Sequence, residues 1–153
     1  MTKGTTTDAQ TFDMVSHIQN TYRAIDSDSI QAGILRDLYT PDAEFIDPFH
    51  HLQGRDRLET YFGQLYRNLN SIDFQYRETV VCGDEIFMEW CMTVSHPRLD
   101  RGRPVRVDGA SRFSVQGRHI RLHRDYFDGG EMLYEHLPVI GRIIRLIKGR
   151  MGR

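Results

Sequence analysis

This sequence predicts an α+β fold in which helices pack on one face of a curved, mainly antiparallel sheet. Over roughly the first seventy residues, apolar side chains recur at intervals of three and four, the period of a helix. From Phe74 to Phe127 they recur at two, the period of a strand. The strand-like stretches also follow one another across short turns, as antiparallel neighbours do.

The elements follow in chain order. Phe12, Val15, Ile18, Tyr22 and Ile25 form the apolar stripe of a first helix. A short second helix fits Ile30, Ile34 and Leu38, with Asp28 or Ser29 as its N-cap. Ala43 to Asp47 alternates weakly and stops at Pro48, as a short strand would. A third helix carries Leu58, Tyr61, Phe62, Leu65 and Leu69, and Asp56 with Glu59 resembles a capping box in which Asp replaces Ser or Thr. Phe74, Tyr76, Glu78 and Val80 then alternate with Gln75, Arg77 and Thr79. Ile86, Met88, Trp90, Met92 and Val94 share one strand face, with Phe87, Glu89 and Cys91 on the other. The turn "RLDRGRP" leads to a face of Val105, Val107, Gly109, Ser111, Phe113 and Val115, and "QGR" leads into His119 to Phe127. A terminal helix begins near Gly130, with Pro138 interrupting or restarting it.

At 153 residues, 39% hydrophobic and 27% charged, the chain suits one globular domain with its own core and a modest cavity. No apolar run approaches the ~20 residues of a membrane span, and "MTKGTTTDAQ" lacks a signal peptide's apolar core. A soluble, cytoplasmic protein is expected. Cys82 and Cys91 match no metal spacing and imply no disulfide framework. Adjacent His50 and His51 diverge and lack a ligand set, so neither a metal nor a cofactor is expected.

The net charge of -1 is unevenly spread: Arg142, Arg145, Lys148, Arg150 and Arg153 are unopposed by any acid after Ile140. That argues against nucleic acid as a partner and singles out the tail. Ile140, Ile143, Ile144, Ile147 and Met151 have helical spacing between these bases. Such a helix closes a cavity mouth, packs across a dimer, or makes a weak contact with an anionic membrane surface through 140–153.

Several residues carry candidate chemistry. In "EFIDPFHH", Asp47 sits between Phe45-Ile46 and Pro48-Phe49. It either caps the turn before Pro48, pairs with a base such as Arg55 or Arg57, or serves as a desolvated general base. Tyr22 continues the first helical stripe, as a core residue or as a phenol donor to an oxyanion. His123 and Asp125 lie two apart on a strand and so share a face. They form an orienting pair, or Asp125 is itself a base; alternatively Asp125 pairs with Arg112, Arg121 or Arg124. Glu89, opposite Trp90 on its strand, reads as a cross-strand or intersubunit partner of an arginine.

With "TYRAIDSDSI", "DAEFIDPF...GRDRLETYF" and "HRDYFDGG" in this order, the chain resembles the nuclear transport factor two-like superfamily, in particular its SnoaL-like and ketosteroid-isomerase-like bacterial members. The resemblance covers roughly residues 10 to 130. It implies a cone-shaped sheet wrapped around the N-terminal helices, preceded by a flexible segment over 1–10 and followed by a basic amphipathic helix over 131–153. It places Tyr22 and Asp47 at the family's helix tyrosine and its Asp before Pro, and turns His123 and Asp125 inward. At the third isomerase position this chain has Ser111. In ketosteroid isomerase that position holds an acid kept protonated by its apolar site, and a serine hydroxyl donates more weakly. "RDYFD" sets Asp125 where epoxide hydrolases of the fold have one catalytic acid, yet Met92 and Trp90 stand where their other acid and arginine belong. Thioether and indole can neither activate water nor protonate an epoxide, so that mechanism is rejected.

The expectation is a homodimer that binds a small hydrophobic molecule in the cone. Phe45, Phe49, Trp90, Met92, Ser111, Phe113 and His123 would contact the ligand, and Asp47, Tyr22 and Asp125 would act on it. If the protein is an enzyme, it is an isomerase or lyase of the ketosteroid-isomerase or polyketide-cyclase kind. The alternative is a non-catalytic ligand-binding or interaction module of the same fold.

Overall fold

The structure is a computed structural model that describes residues 8–132 and 140–151. Helix α1 (Asp8–Ala24) starts within the segment expected to be a flexible N-terminus. Its inward stripe runs through Met14, Ile18 and Thr21 and continues to Ile25, while Val15 and Tyr22 flank it, half-buried.

The expected second helix is two short ones, α2 (Ser27–Gln31) and α3 (Ile34–Leu38), because Gly33 takes a left-handed φ of 92° between them. The cap is Asp26 rather than Asp28 or Ser29: its carboxylate accepts from the Ser29 backbone N–H at 2.7 Å. Ser29 returns the bond by accepting from the Asp26 N–H at 2.8 Å. Strand β1 (Tyr39–Ile46) begins four residues earlier than its weak alternation suggests, and a short β2 (His51–Gln53) folds back on it. Helix α4 (Arg55–Asn68) follows, but without the expected capping box. Its N-cap is Gly54, Asp56 lies in the first turn, and Glu59 instead accepts from Arg36 Nε at 3.1 Å.

Strands β3 (Ser71–Cys82), β4 (Glu85–Ser95), β5 (Val105–Gln116) and β6 (His119–Phe127) complete a curved, unclosed sheet of order β2-β1-β6-β5-β4-β3. All neighbours are antiparallel except β1 and β6. That parallel pairing sets Phe45 opposite His123 and Ile46 opposite Arg124, so Asp47, the residue after β1, is next in register to Asp125 within β6. The helices cover the inner face, where Ile86, Met88, Trp90, Met92 and Val94 are all buried, as their shared parity predicts. On the outer face Glu89 accepts from Arg77 Nη1 of the neighbouring strand at 3.3 Å, which is the cross-strand reading of that residue.

The terminal helix expected from Gly130 is described as two pieces, α5 (Gly129–Met132) and α6 (Ile140–Met151). Pro138 falls outside the described residues, as do the side chains of Ile140, Ile144 and Met151. Lys148 of α6 donates to Asp128 at the end of β6 at 2.8 Å, while Ile143, Leu146 and Ile147 remain at least half exposed. Among the described residues no helix is long and apolar enough to cross a membrane.

Candidate active site

Strand parity brings the site together. Residues 43, 45 and 47 continue one face of β1, 111 and 113 one face of β5, and 123, 125 and 127 one face of β6. Register then pairs Ser111 with Asp125 and Phe113 with His123. Trp90 pairs with Gly109, and this glycine is required: a Cβ there would lie 2.3 Å from the indole ring that crosses it.

These faces and the helices above them enclose two hollows that share Tyr22, Phe74, Trp90 and Asp125 as walls. The larger has a volume of about 90 Å³ and is lined by Phe45, Asp47, Phe49, Tyr61 and Met92 among others. The smaller, about 30 Å³, reaches Ser111, Phe113 and His123. Aromatic rings occupy much of the space between sheet and helices, and a fused-ring ligand would need some of them to swing aside.

A single hydrogen-bonded chain runs along the wall. Trp90 Nε1 donates to Ser111 Oγ at 2.8 Å. Indole can only donate, so the Ser111 hydroxyl turns its own proton to Asp125 Oδ1. His123 Nε2 lies 2.7 Å from the same Oδ1, and its Nδ1 lies 2.6 Å from the Tyr39 hydroxyl. Tyr39 in turn meets Tyr22 Oη at 2.6 Å. Among the described residues Asp125 Oδ2 has no partner, and its carboxyl is 18% exposed.

With Asp125 ionised, His123 Nε2–H donates to it. A neutral ring then accepts at Nδ1 from Tyr39, which accepts from Tyr22, whereas an imidazolium donates from Nδ1 to Tyr39. The two phenols stay neutral. Burial raises the pKa of Tyr22 and Tyr39 well above the ordinary phenol value, and the charge of Asp125 adds to the effect.

Asp47 has a different environment. Its Oδ1 accepts from the backbone N–H groups of Phe49 at 2.7 Å and His50 at 2.6 Å, an acceptor role for the turn at Pro48. Oδ2 accepts from Tyr61 at 3.3 Å, and the residue lines the larger hollow. The base beside it is His50, with Nδ1 3.2 Å from Oδ1, rather than Arg55 or Arg57: Arg55 Nη1 donates to the Tyr39 carbonyl. Likewise Arg112 binds Glu85 rather than Asp125.

All ten residues singled out from the sequence line one hollow or the other. Met88 and Val107, which share the parity, pack into the core instead. Sequence reasoning missed Tyr39, which joins His123 to Tyr22. Alternation could not have found it: the register of β1 is irregular between Tyr39 and Glu44, and Pro41 and Asp42 between them are exposed. Tyr61, Phe62 and Leu65 read in the sequence only as a core stripe, although they roof the larger hollow. Among the described residues no three His, Cys, Asp or Glu side chains gather as a metal site.

A family model for the SnoaL-like domain matches residues 18–123. The chain belongs to the SnoaL-like family. No curated protein matches it. Solved structures similar to this SnoaL-like chain include an epoxide hydrolase of the LEH-like type from M. tuberculosis, 17% identical with a TM-score of 0.66, covering 92% of this chain and 97% of that one. Another is a ketosteroid-isomerase-like protein from Catenulispora acidiphila DSM 44928 in complex with trimethylamine, 14% identical with a TM-score of 0.66 over 78% of this chain and 88% of that one. A third, described as a SnoaL-like polyketide cyclase from Jannaschia sp. CCS1, is 16% identical with a TM-score of 0.63 over 78% and 86%. At these identities the SnoaL-like neighbours establish the shared cone fold and nothing about the reaction.

Proposed function

We propose that this SnoaL-like protein binds a small, mostly apolar carbonyl compound in the aromatic hollow and shifts a proton on it, as an isomerase, cyclase or dehydratase that needs no cofactor. The observation that carries the reading is Asp125: a carboxylate on the wall of the hollow whose Oδ1 is held by Ser111 and His123 while Oδ2 has no partner among the described residues. Held from one side, the carboxylate presents a fixed lone pair to a substrate C–H on the other.

The chain of donors gives the step its second half. When Asp125 takes the C–H proton, the bonding pair moves into the carbonyl and leaves an enolate. The Tyr22 hydroxyl belongs to a side chain that lines the same hollow, and its O–H would turn from Tyr39 to a carbonyl oxygen bound there. Tyr22 would then stabilise the enolate oxygen, and a proton returned to another carbon completes the isomerisation. Asp47 would shape the mouth and hold Tyr61 rather than take the proton, because its Oδ1 already serves the turn. A homodimer belongs to the same proposal, with the exposed Val80, Phe87 and Tyr126 of the outer sheet face at its interface.

The test is α-proton exchange in heavy water across a panel of small ketones and enones, read by proton NMR. A substrate that wild type exchanges and Asp125→Asn leaves unexchanged, while both bind it, supports the reading. Exchange that persists in Asp125→Asn overturns it and favours the alternative, a ligand-binding module without chemistry.

A further inference from the structure

We infer that the larger hollow is a receptor for a compact alkylammonium group, a charged ligand class that the proton-transfer reading does not require. The inference rests on the same hollow as that reading but on none of its chemistry.

Three observations carry it. First, the charge of the lining is one-sided. Among the described residues it contains two carboxylates, Asp47 and Asp125, and neither lysine, arginine nor histidine. His50 Nδ1 lies 3.2 Å from Asp47 Oδ1 on the solvent side of the turn, where its side chain is 40% exposed. Arg23 lies over the Tyr76 ring of the smaller hollow. Asp125 receives the hydroxyl of Ser111 and an imidazole N–H of His123, and among the described residues no lysine or arginine pairs with it. The charge of Asp125 contributes to raising the phenol pKa of Tyr22, Tyr61 and Tyr66 around the hollow, after burial, which is the first cause for each.

Second, nine aromatic rings line this hollow and they stand at angles rather than in parallel. Phe74 meets Trp90 at 86° and 5.6 Å, Phe49 meets Phe127 at 61° and 5.9 Å, and Trp90 meets Phe127 at 55°. Parallel rings make a slot for a flat ligand. Angled rings make a box, in which a rounded group touches several π surfaces, the negative parts of each quadrupole. A methylated ammonium has that shape, spreads its charge over its methyl groups, and is desolvated at lower cost than a bare ammonium.

Third, the volume is about 90 Å³, room for one compact head group with any longer tail left outside.

The experiment uses the full chain and its single tryptophan, Trp90, as reporter. Choline is titrated against dimethylbutanol, its isostere in which a neutral carbon replaces the ammonium nitrogen, with calorimetry alongside the Trp90 fluorescence. Wild type should bind choline at least about tenfold more tightly than the isostere, a comparison that needs no variant. Asp125→Asn, checked for an unchanged fold by circular dichroism, should weaken choline by about tenfold and leave the isostere unaffected. Equal binding of the two probes, no saturable binding of choline, or equal loss of both in Asp125→Asn would each overturn the inference. Failure of the ketone exchange assay would leave these binding results untouched, so the two proposals fail separately.

Discussion

The hollow has two acidic ends made of the same side chain, and they behave differently because their backbones do. Asp47 leaves the sheet at a Pro-containing turn, where free backbone N–H groups compete for its oxygens. Asp125 lies within β6, where the ladder satisfies the backbone and the carboxylate is left to side chains. The lesson is general: an inward acid becomes available for chemistry when nothing in its own backbone needs it. Apolar neighbours alone do not make it so, since Asp47 is the more buried of the two, at 6% against 18% exposed.

The sharpest way to break this comparison is by parallel substitution. Asp125→Asn should lower turnover of any substrate found by about 10²–10⁴-fold, and Asp47→Asn by less than about tenfold, since the amide oxygen still accepts the turn N–H groups. Similar losses from both would erase the distinction.

Smaller effects probe the scaffold on the Asp125 side. Gly109→Ala must push the Trp90 ring off its strand partner and break the indole bond to Ser111, costing about 1–3 kcal/mol in denaturant unfolding. Tyr39→Phe removes the link between Tyr22 and His123 and leaves Nδ1 with only Tyr22, at 3.3 Å. It should cost about 1–3 kcal/mol and slow turnover more than it weakens ligand binding. On the Asp47 side, Asp47→Ala should cost about 1 kcal/mol, and Asp47→Asn should be nearly silent in melting experiments.

The smallest effect concerns pH. The buried phenols have folded pKa values above their unfolded value of 10.0. A raised folded pKa means the folded state holds its protons more tightly, so the stabilisation is full below pH ~10 and declines as pH rises beyond it. Melting temperature should therefore fall on the alkaline side, and Tyr39→Phe should flatten that fall. An equally steep decline in the variant would remove Tyr39 from the account.

How much of this was legible depended on the kind of signal. Long strands with strict alternation, such as 85–95 and 105–116, read directly, because parity at a buried face admits no slippage. The same parity put Ser111, His123 and Asp125 on inward faces. Local capping was harder to read. The pattern at Asp56 and Glu59 matched a capping box that Glu59 abandons for Arg36, an interaction set by tertiary placement. The turn role of Asp47 was one of the readings the sequence offered, and only the position of the Phe49 and His50 N–H groups favours it. Tyr39 was lost to a late strand boundary, where a helix of one turn gives way to β1 with an irregular register. No sequence pattern announces the angles between rings, which come from packing of four strands against two helices.

The most direct measurement is a crystal structure with cyclohexenone bound in the hollow. The account predicts an α-carbon within about 3–3.5 Å of Asp125 Oδ2, with the carbonyl oxygen towards Tyr22 and Asp47 still bonded to its turn. A ligand seated against a carboxylate of Asp47 released from that turn, with Asp125 out of reach, would contradict it.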